Sequence, residues 1–401
     1  MNDSLITFSK RKKTLAITGC IIVQICVGIL YIWSVFREGV IAFYGWDSGQ
    51  VNLIASFMLF AFCAGNLAGG IIQDRIGPKP VCFIGISMFG GGMLLSSFIP
   101  AVASIVWFYI SYCIIAGIGS GLCYGPVLAC MQKWFPDKRG FATGLAAGAF
   151  GMSTVVFAPV ANSLINATNA PRAIMILAII FLVIGIASCF MISVPATEVS
   201  SREMTGEVSL PPLKAAATLP FWLLFIGCFL YNGTWNMLTP IIKPLGISRG
   251  LSDAAATLCV SLTGIANAAG RLIMSTLSDK IGRILTLIIL CGLTIVSGIV
   301  LIFSGGGALF GTVLLAAFAY GGPAAVNPAT STDFFGPKYA GSNYGIIMLS
   351  LGLSSVVFNM ISNAVYNSSG SYTITFILGA ASAAASVIIY IMIGRLRNKT
   401  K

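Results

Sequence analysis

Long apolar stretches separated by brief polar breaks set the pattern of this chain. The first, 14–36, follows a polar start that ends in Lys10-Arg11-Lys12-Lys13. Further apolar runs cover 48–70, 80–99, 103–133, 140–165 and 172–194. After a polar interval come 217–240, 252–277, 282–304, 306–334, 339–366 and 371–394. A helix needs about 20 apolar residues to cross a bilayer, so the pattern predicts an all-α membrane protein with twelve transmembrane helices. The first run is long and lacks a small-residue cleavage site, so it reads as a retained helix and not as a signal peptide. The interval 195–216 carries Glu198, Arg202, Glu203 and Glu207 together with prolines. It is too short for a folded domain. It reads as a cytoplasmic linker between an N-terminal six-helix bundle, 1–194, and a C-terminal one, 217–401.

Composition agrees with that reading. Of the 401 residues, 57% are hydrophobic and 8% charged, where a soluble chain carries about 25% charged residues. Mean hydropathy is +0.95. The net charge of +12 sits at helix ends, where it meets anionic lipid, so the expected partner is the bilayer and not nucleic acid. With both termini in the cytoplasm, 18 of the 23 Lys and Arg lie inside and only Arg37, Arg172, Lys243 and Arg249 outside, Arg271 being the remainder. That bias predicts a multi-pass protein of the cell (inner or plasma) membrane with both termini cytoplasmic. A monomer is expected. Eleven cysteines fall mostly within apolar runs with no CxxC, and read as small buried hydrophobes. The absence of histidine removes the usual proton relay and the usual metal ligand, and neither metal nor cofactor is expected.

An internal repeat supports two halves. Gly65-Asn66-Leu67 and Gly270-Arg271-Leu272 lie 205 residues apart. The same offset relates Asp74-Arg75-Ile76-Gly77-Pro78-Lys79 to Asp279-Lys280-Ile281-Gly282-Arg283, and Asp47 to Ser252, both suited to cap a helix N-terminus. In the loop from Gly70 to Lys79, glycine permits a tight turn. Asp74 there can accept hydrogen bonds from a neighbouring helix N-terminus, favoured by its dipole. The expected conformational latch comprises Gly70, Asp74, Arg75 and Gly77, with Asp279, Lys280, Gly282 and Arg283 in the repeat.

Arg271 is the costliest residue in the sequence. It lies roughly 12 Å inside the Asp279 end of its helix at 1.5 Å per residue, and cannot deprotonate. Exposure to lipid would cost ~2.5 kcal/mol or more, so it must face protein, water or an anion. The functional reading is an anion site; the structural one is neutralisation by a protein carboxylate. No acid lies deep in an apolar run: Glu38, Asp47 and Asp253 sit at outer ends, and Asp74, Asp137, Asp279 and Asp333 at inner ends. The repeat sets Asn66 at the position equivalent to Arg271, so one half is specialised. Gln24 reads equally as a cavity residue or as a partner for a neighbouring helix. Asn232, Trp235 and Asn236 could line a pathway, with interfacial placement favoured for the tryptophan. Asn327-Pro328 reads as a kink and not as a ligand.

The glycine-aspartate-basic loop, its repeat, and twelve helices in two halves resemble the major facilitator superfamily. Asn267-Ala268-Ala269-Gly270-Arg271, Asn343-Tyr344-Gly345 with Gly352, and Tyr31-Ile32-Trp33-Ser34-Val35-Phe36 resemble its oxalate:formate antiporter family, which is related to the monocarboxylate transporters. That resemblance implies that Arg271 binds a substrate carboxylate between aromatic walls carried by Tyr31, Tyr124, Tyr320 and Phe150. This chain departs from the oxalate exchangers at two places. Leu351 stands where they carry a lysine, and Leu30 where a glutamine precedes the tyrosine. A dianion in a dry cavity needs two positive partners, whereas Arg271 suits one carboxylate held in a bidentate fork. A small monocarboxylate of the lactate, pyruvate or formate type is therefore expected, the rest of it lying against Leu30, Leu351 and the aromatic rings. Asn267 holds the place of the aspartate found in proton-linked relatives and does not titrate, so exchange against a counter-anion and proton-linked symport both stay open.

The alternatives are an oxalate-type dicarboxylate antiporter and a neutral-solute or multidrug carrier of the same fold. The helices offer no acid/base pair or metal cluster for an enzyme, and no loop or tail is long enough for a receptor's signalling module.

Overall fold

The computed structural model describes residues 2–98, 104–195 and 209–400. Among these residues the chain is helical almost throughout, and no strand occurs. Helix α1 (Asn2–Val27) passes through a 3-10 stretch, Gly28–Ile32, into α2 (Trp33–Tyr44). Next come α3 (Ser48–Ile76) and α4 (Pro78–Ser97). A fourth span joins α5 (Ile105–Phe108), a π-helical stretch, Tyr109–Ile115, and α6 (Ala116–Trp134). Helices α7 (Arg139–Ala167) and α8 (Ala170–Met191) complete six spans. In the second half, short α9 (Pro212–Ala216) leads to α10 (Leu219–Tyr231), α11 (Gly233–Leu238) and α12 (Ile242–Ser248). The rest are α13 (Asp253–Ile281), α14 (Arg283–Phe303), α15 (Gly306–Phe335), α16 (Ala340–Ser369) and α17 (Thr373–Thr400).

Eleven helical stretches among the described residues are long and apolar enough to cross a membrane. The expected span 217–240 is divided, so it is not among them. The Asn232 side chain donates to the Cys228 carbonyl at 2.6 Å, the same carbonyl that its own backbone N–H reaches at 3.3 Å. A side chain that competes for the helix's own acceptor interrupts the ladder at that residue. Large apolar side chains face outward: Val183 is 65%, Phe190 66% and Phe303 84% exposed. Such a surface is stable only against lipid.

The 205-residue repeat has a structural counterpart. Helices α3 and α13 are both 29 residues long. Asp47 caps α3 by accepting from Gln50 N at 3.1 Å, and Ser252 caps α13 by accepting from Ala255 N at 3.2 Å. Each helix turns into the next over one glycine, Gly77 at φ 83° and Gly282 at φ 92°. With ψ of 170° and 151°, both adopt a backbone conformation that side chains with a Cβ rarely reach.

Two seams join the halves. Helix α3 runs against α16 and α7 against α13, and in both the helices approach closely. A Cβ on Gly70 would meet the Gly341 carbonyl. The expected linker 195–216 lies largely outside the described residues. Its end is tied down, Leu210 N donating to the Phe335 carbonyl at 2.9 Å and Asn343 Nδ2 to the Leu210 carbonyl at 3.0 Å.

At Gly77 and Gly282 nothing lies within 4 Å of an added Cβ, so substitution there tests backbone strain alone. Gly77→Ala and Gly282→Ala should each cost ~1–3 kcal/mol. In detergent each should lower the thermal unfolding midpoint by several degrees, which scanning fluorimetry measures. An unchanged midpoint would count against strain at these turns.

Candidate functional site

Arg271 comes from the middle of α13, two turns before Asp279. It is 2% exposed. Its Nε donates to Asn267 Oδ1 at 2.6 Å, one turn earlier on the same face, and Nη1 donates to the Ala147 carbonyl of α7 at 3.1 Å. The guanidinium also lies over the Phe150 ring, 5.7 Å from its centroid, within cation–π range. An arginine of the second half is thus held by a backbone carbonyl and an aromatic ring of the first. These neutral groups orient the charge.

Arg271 lines a cavity at the seam, with about 440 Å³ of atom-free space including its opening to solvent. The first half contributes Phe62, Tyr124 and Phe150, whose rings pack against one another with centroids 5.0 to 5.5 Å apart. The second half contributes Tyr320, Pro323, Ala324 and Asn327 from α15, and Tyr344, Met348 and Leu351 from α16. Cys228 and Asn232, at the break that ends α10, complete the wall. Tyr124 Oη donates to the Ala324 carbonyl at 3.4 Å across the seam.

Of the residues expected at the site, Arg271, Tyr124, Phe150, Tyr320 and Leu351 come together in this cavity. Asn267 stands behind it as the acceptor for Arg271. Gln24 is buried and donates to the Tyr124 carbonyl at 3.3 Å, so its partner is a neighbouring helix. Leu30 is packed among buried apolar side chains and is not in the cavity wall. The Tyr31 side chain lies outside the described residues. Trp235 is buried and stacks on Tyr320 at 5.2 Å, so its neighbours are protein and not headgroups, contrary to the interfacial placement expected. Asn327 is a wall residue as well as the residue before an in-helix proline.

Sequence reasoning missed Phe62, Met348 and Cys228, because their residue types mark apolar packing anywhere along a membrane helix. The signal that could have found Cys228 is its place one turn before Asn232.

The loop carboxylates lie near the C-terminal ends of α3 and α13. Asp74 Oδ2 accepts from Ser342 N at 3.2 Å and from Ser342 Oγ at 2.5 Å, at the start of α16. Asp279 Oδ1 accepts from Gly140 N at 3.0 Å and Oδ2 from Phe141 N at 2.9 Å, at the start of α7. Each carboxylate therefore caps a helix of the opposite half, where backbone N–H groups and the helix dipole favour negative charge. Arg283 pairs with Asp279 at 2.5 Å and with Asp333 at 3.1 Å, and Arg139 lies 3.6 Å from Asp333. Asp333 thus joins the network unforeseen, since its position in α15 follows neither repeat. Arg75 and Lys280 are exposed. Thr332 adds a further link across the seam, its Oγ1 donating to Gln132 Oε1 at 3.1 Å.

Comparison with known proteins bears on this arrangement. The family model described as Major Facilitator Superfamily matches residues 15–358 and 224–401. The chain is 27% identical over 383 residues to the oxalate:formate antiporter of Oxalobacter formigenes, covering 93% of this chain and 90% of that protein. It is 25% identical over 363 residues to human monocarboxylate transporter 11, covering 85% and 74%. Among solved structures, FucP in the outward conformation superposes with a TM-score of 0.75 at 13% identity, over 95% of this chain and 99% of that one. At that identity the likeness speaks for the fold alone.

Asp279→Asn removes the charge from two cross-seam hydrogen bonds, each worth about 1.5–3 kcal/mol when an ion accepts it. The seam should open more often at that end. A cysteine introduced as Ser275→Cys, buried there against Gly144, should react with a small maleimide several-fold faster in the Asp279→Asn background. An equal rate would remove Asp279 from the forces that hold the seam.

Proposed function

The chain belongs to the Major Facilitator Superfamily, and on that premise we propose that it carries small monocarboxylates, of the lactate, pyruvate or formate type, by alternating access. The coarser statement needs no proposal: it is a multi-pass membrane transporter, and its family and fold are those of carriers and not of enzymes.

The observation that carries the substrate reading is the buried Arg271 guanidinium in the wall of a cavity shared by the two halves. A planar fork of N–H donors matches a carboxylate. A neutral or cationic solute would gain little from such a wall. Support for organic anions also comes from the relatives named as an oxalate:formate antiporter and a monocarboxylate transporter.

Leu351 favours one carboxylate over two. It lies in the same wall, and its apolar side chain cannot compensate a second negative charge, whose burial without a partner is costly. The dicarboxylate reading rests on the name of the Oxalobacter relative. Tyr124, Phe150 and Tyr320 would wall the substrate's apolar part, with Asn267 orienting the arginine.

The geometry also supplies a coupling between binding and motion. Arg271 Nη1 bonds the Ala147 carbonyl of the other half. A carboxylate arriving at the guanidinium competes for that donor and loosens a link between the halves. It also neutralises the charge over which they must close. Both effects favour movement of the loaded carrier, and so favour exchange. Proton-linked symport stays compatible with Asn267, with the proton carried elsewhere. In this reading Asp74 and Asp279, with Gly70, Arg75, Gly77, Lys280, Gly282 and Arg283 around them, latch one state and release the other. The orientation read from the charge bias sets the latched end at the cytoplasmic face of the cell (inner or plasma) membrane.

Arg271→Gln should lower uptake of labelled lactate or formate into proteoliposomes by ~10- to 100-fold, the equivalent of one or two charge-assisted hydrogen bonds. Uptake at the wild-type rate would sink the carboxylate reading. Internal unlabelled substrate should accelerate wild-type uptake, and equal rates with and without it would count against exchange. Leu351→Lys should shift preference toward a dianion such as oxalate, read by competition between mono- and dicarboxylates.

A further inference from the structure

The cavity has a second polar feature that the carboxylate clamp leaves unused. Asn327, 5% exposed, lines the wall from α15. Its Nδ2 donates to Cys228 Sγ at 3.5 Å. Its Oδ1 has no hydrogen-bond partner among the described residues. Asn232 Nδ2 approaches the same sulfur at 3.4 Å and is fixed by its 2.6 Å bond to the Cys228 carbonyl. Cys228 thus accepts from both amides, and this arrangement turns the Asn327 amide so that its nitrogen is occupied and its oxygen is left over.

A buried acceptor without a donor costs free energy, and such groups in native proteins call for an explanation. Here the atom is buried but belongs to a residue of the cavity wall, so a ligand that draws the side chain into the cavity can supply the donor. Arg271 and Asn327 then recognise different chemistry. The guanidinium offers only donors and takes a carboxylate. Asn327 Oδ1 offers only an acceptor and takes an O–H. Resting on the carboxylate reading of Arg271, we propose that Asn327 is a specificity determinant that accepts a hydrogen bond from an alcohol hydroxyl of the substrate, so that the carrier favours hydroxy-monocarboxylates over their keto and unsubstituted counterparts.

The chemistry of the three acids separates them. A hydroxy acid satisfies Asn327 Oδ1. An unsubstituted acid of the same length leaves it orphaned. A keto acid sets a second acceptor against it. Sites that pair a buried polar group with a substrate hydroxyl discriminate strongly against analogues lacking it, because the site's own group is then stranded.

The test is competition by lactate, propionate and pyruvate against uptake of labelled lactate into proteoliposomes at pH 7. At that pH the three monocarboxylates are ionised, so the alcohol hydroxyl is the donor that differs among them. Wild type should be inhibited by lactate at concentrations about tenfold or more below those needed for propionate and pyruvate. Asn327→Leu should carry labelled propionate and compress the lactate-to-propionate ratio to near one, and Asn327→Gln, which keeps the amide, should retain part of the preference. Equal inhibition by all three acids in wild type overturns the proposal without touching the carboxylate reading, and does so even if no variant folds. Preference for pyruvate also overturns it, since that result means the amide presents its nitrogen. An Asn327→Leu protein that keeps the wild-type ratio overturns it too. Failure of all three acids to compete or be carried, with Arg271→Gln unaltered, overturns the carboxylate reading and this inference together.

Discussion

A guanidinium keeps its proton at any pH a cell meets, so a chain that buries one within apolar helices must surround it with dipoles or bring it a counter-charge. The environment of Arg271 is built to that constraint. Asn267 accepts from Nε one helical turn away, the Ala147 carbonyl accepts from Nη1, and the Phe150 ring presents its face. These groups come from both halves. The charge can therefore be held in this way only while α7 and α13 lie against each other. A requirement of one side chain becomes a requirement on the relative placement of two bundles.

The contact between the halves is fixed a second time, two turns farther along. Asp279 follows Arg271 by eight residues on α13 and caps α7, while Asp74 caps α16 from the repeat-related position on α3. Gln132 and Thr332, beyond Tyr124 and Asn327 on their own helices, add a link at the same level. The cavity residues thus lie on one side of a layer of polar cross-seam contacts. In the latch reading proposed above, closing that layer would block one route to the cavity, and breaking it would open that route. Carboxylates on helix N-termini suit the task because their strength depends on alignment with the dipole and falls off within about a turn. A small rotation of one bundle is enough to release them.

Much of this is legible in the sequence. Apolar runs mark membrane helices because a bilayer imposes length and composition on every crossing. The 205-residue offset located both caps and both single-glycine turns, since each is a local motif whose geometry follows from its residue types. Arg271 announced itself by the cost of its burial. Seam partners were harder to read. Asp333 belongs to no repeat, and its pairing with Arg283 and Arg139 depends on helices distant in sequence. Gln24 reads from the sequence equally as a cavity residue or as a partner for a neighbouring helix, and the structure gives it the second role, donating to the Tyr124 carbonyl. Leu30 is expected against the substrate, but it is absent from the cavity wall. Trp235 was read by the usual habit of tryptophan at membrane interfaces, but stacking on Tyr320 offers its ring more contact than a headgroup region does. Asn327 was read as part of a proline kink, because periodicity says which residues share a face and not what that face meets.

The two halves share an architecture but divide the chemistry of the cavity between them. At the position equivalent to Arg271 the first half has Asn66, which is buried against Gly125 and absent from the cavity wall. That half contributes only aromatic rings; the second contributes the cation and the amides along with Tyr320 and Tyr344. Symmetric halves with an arginine in each would set two positive charges in one dry space, stable only with a dianion between them. On the carboxylate reading proposed above, one arginine would call for a single carboxylate, and the bundles would then close over a neutral pair. On that reading, the buried amide at the equivalent position limits how much negative charge this carrier can enclose.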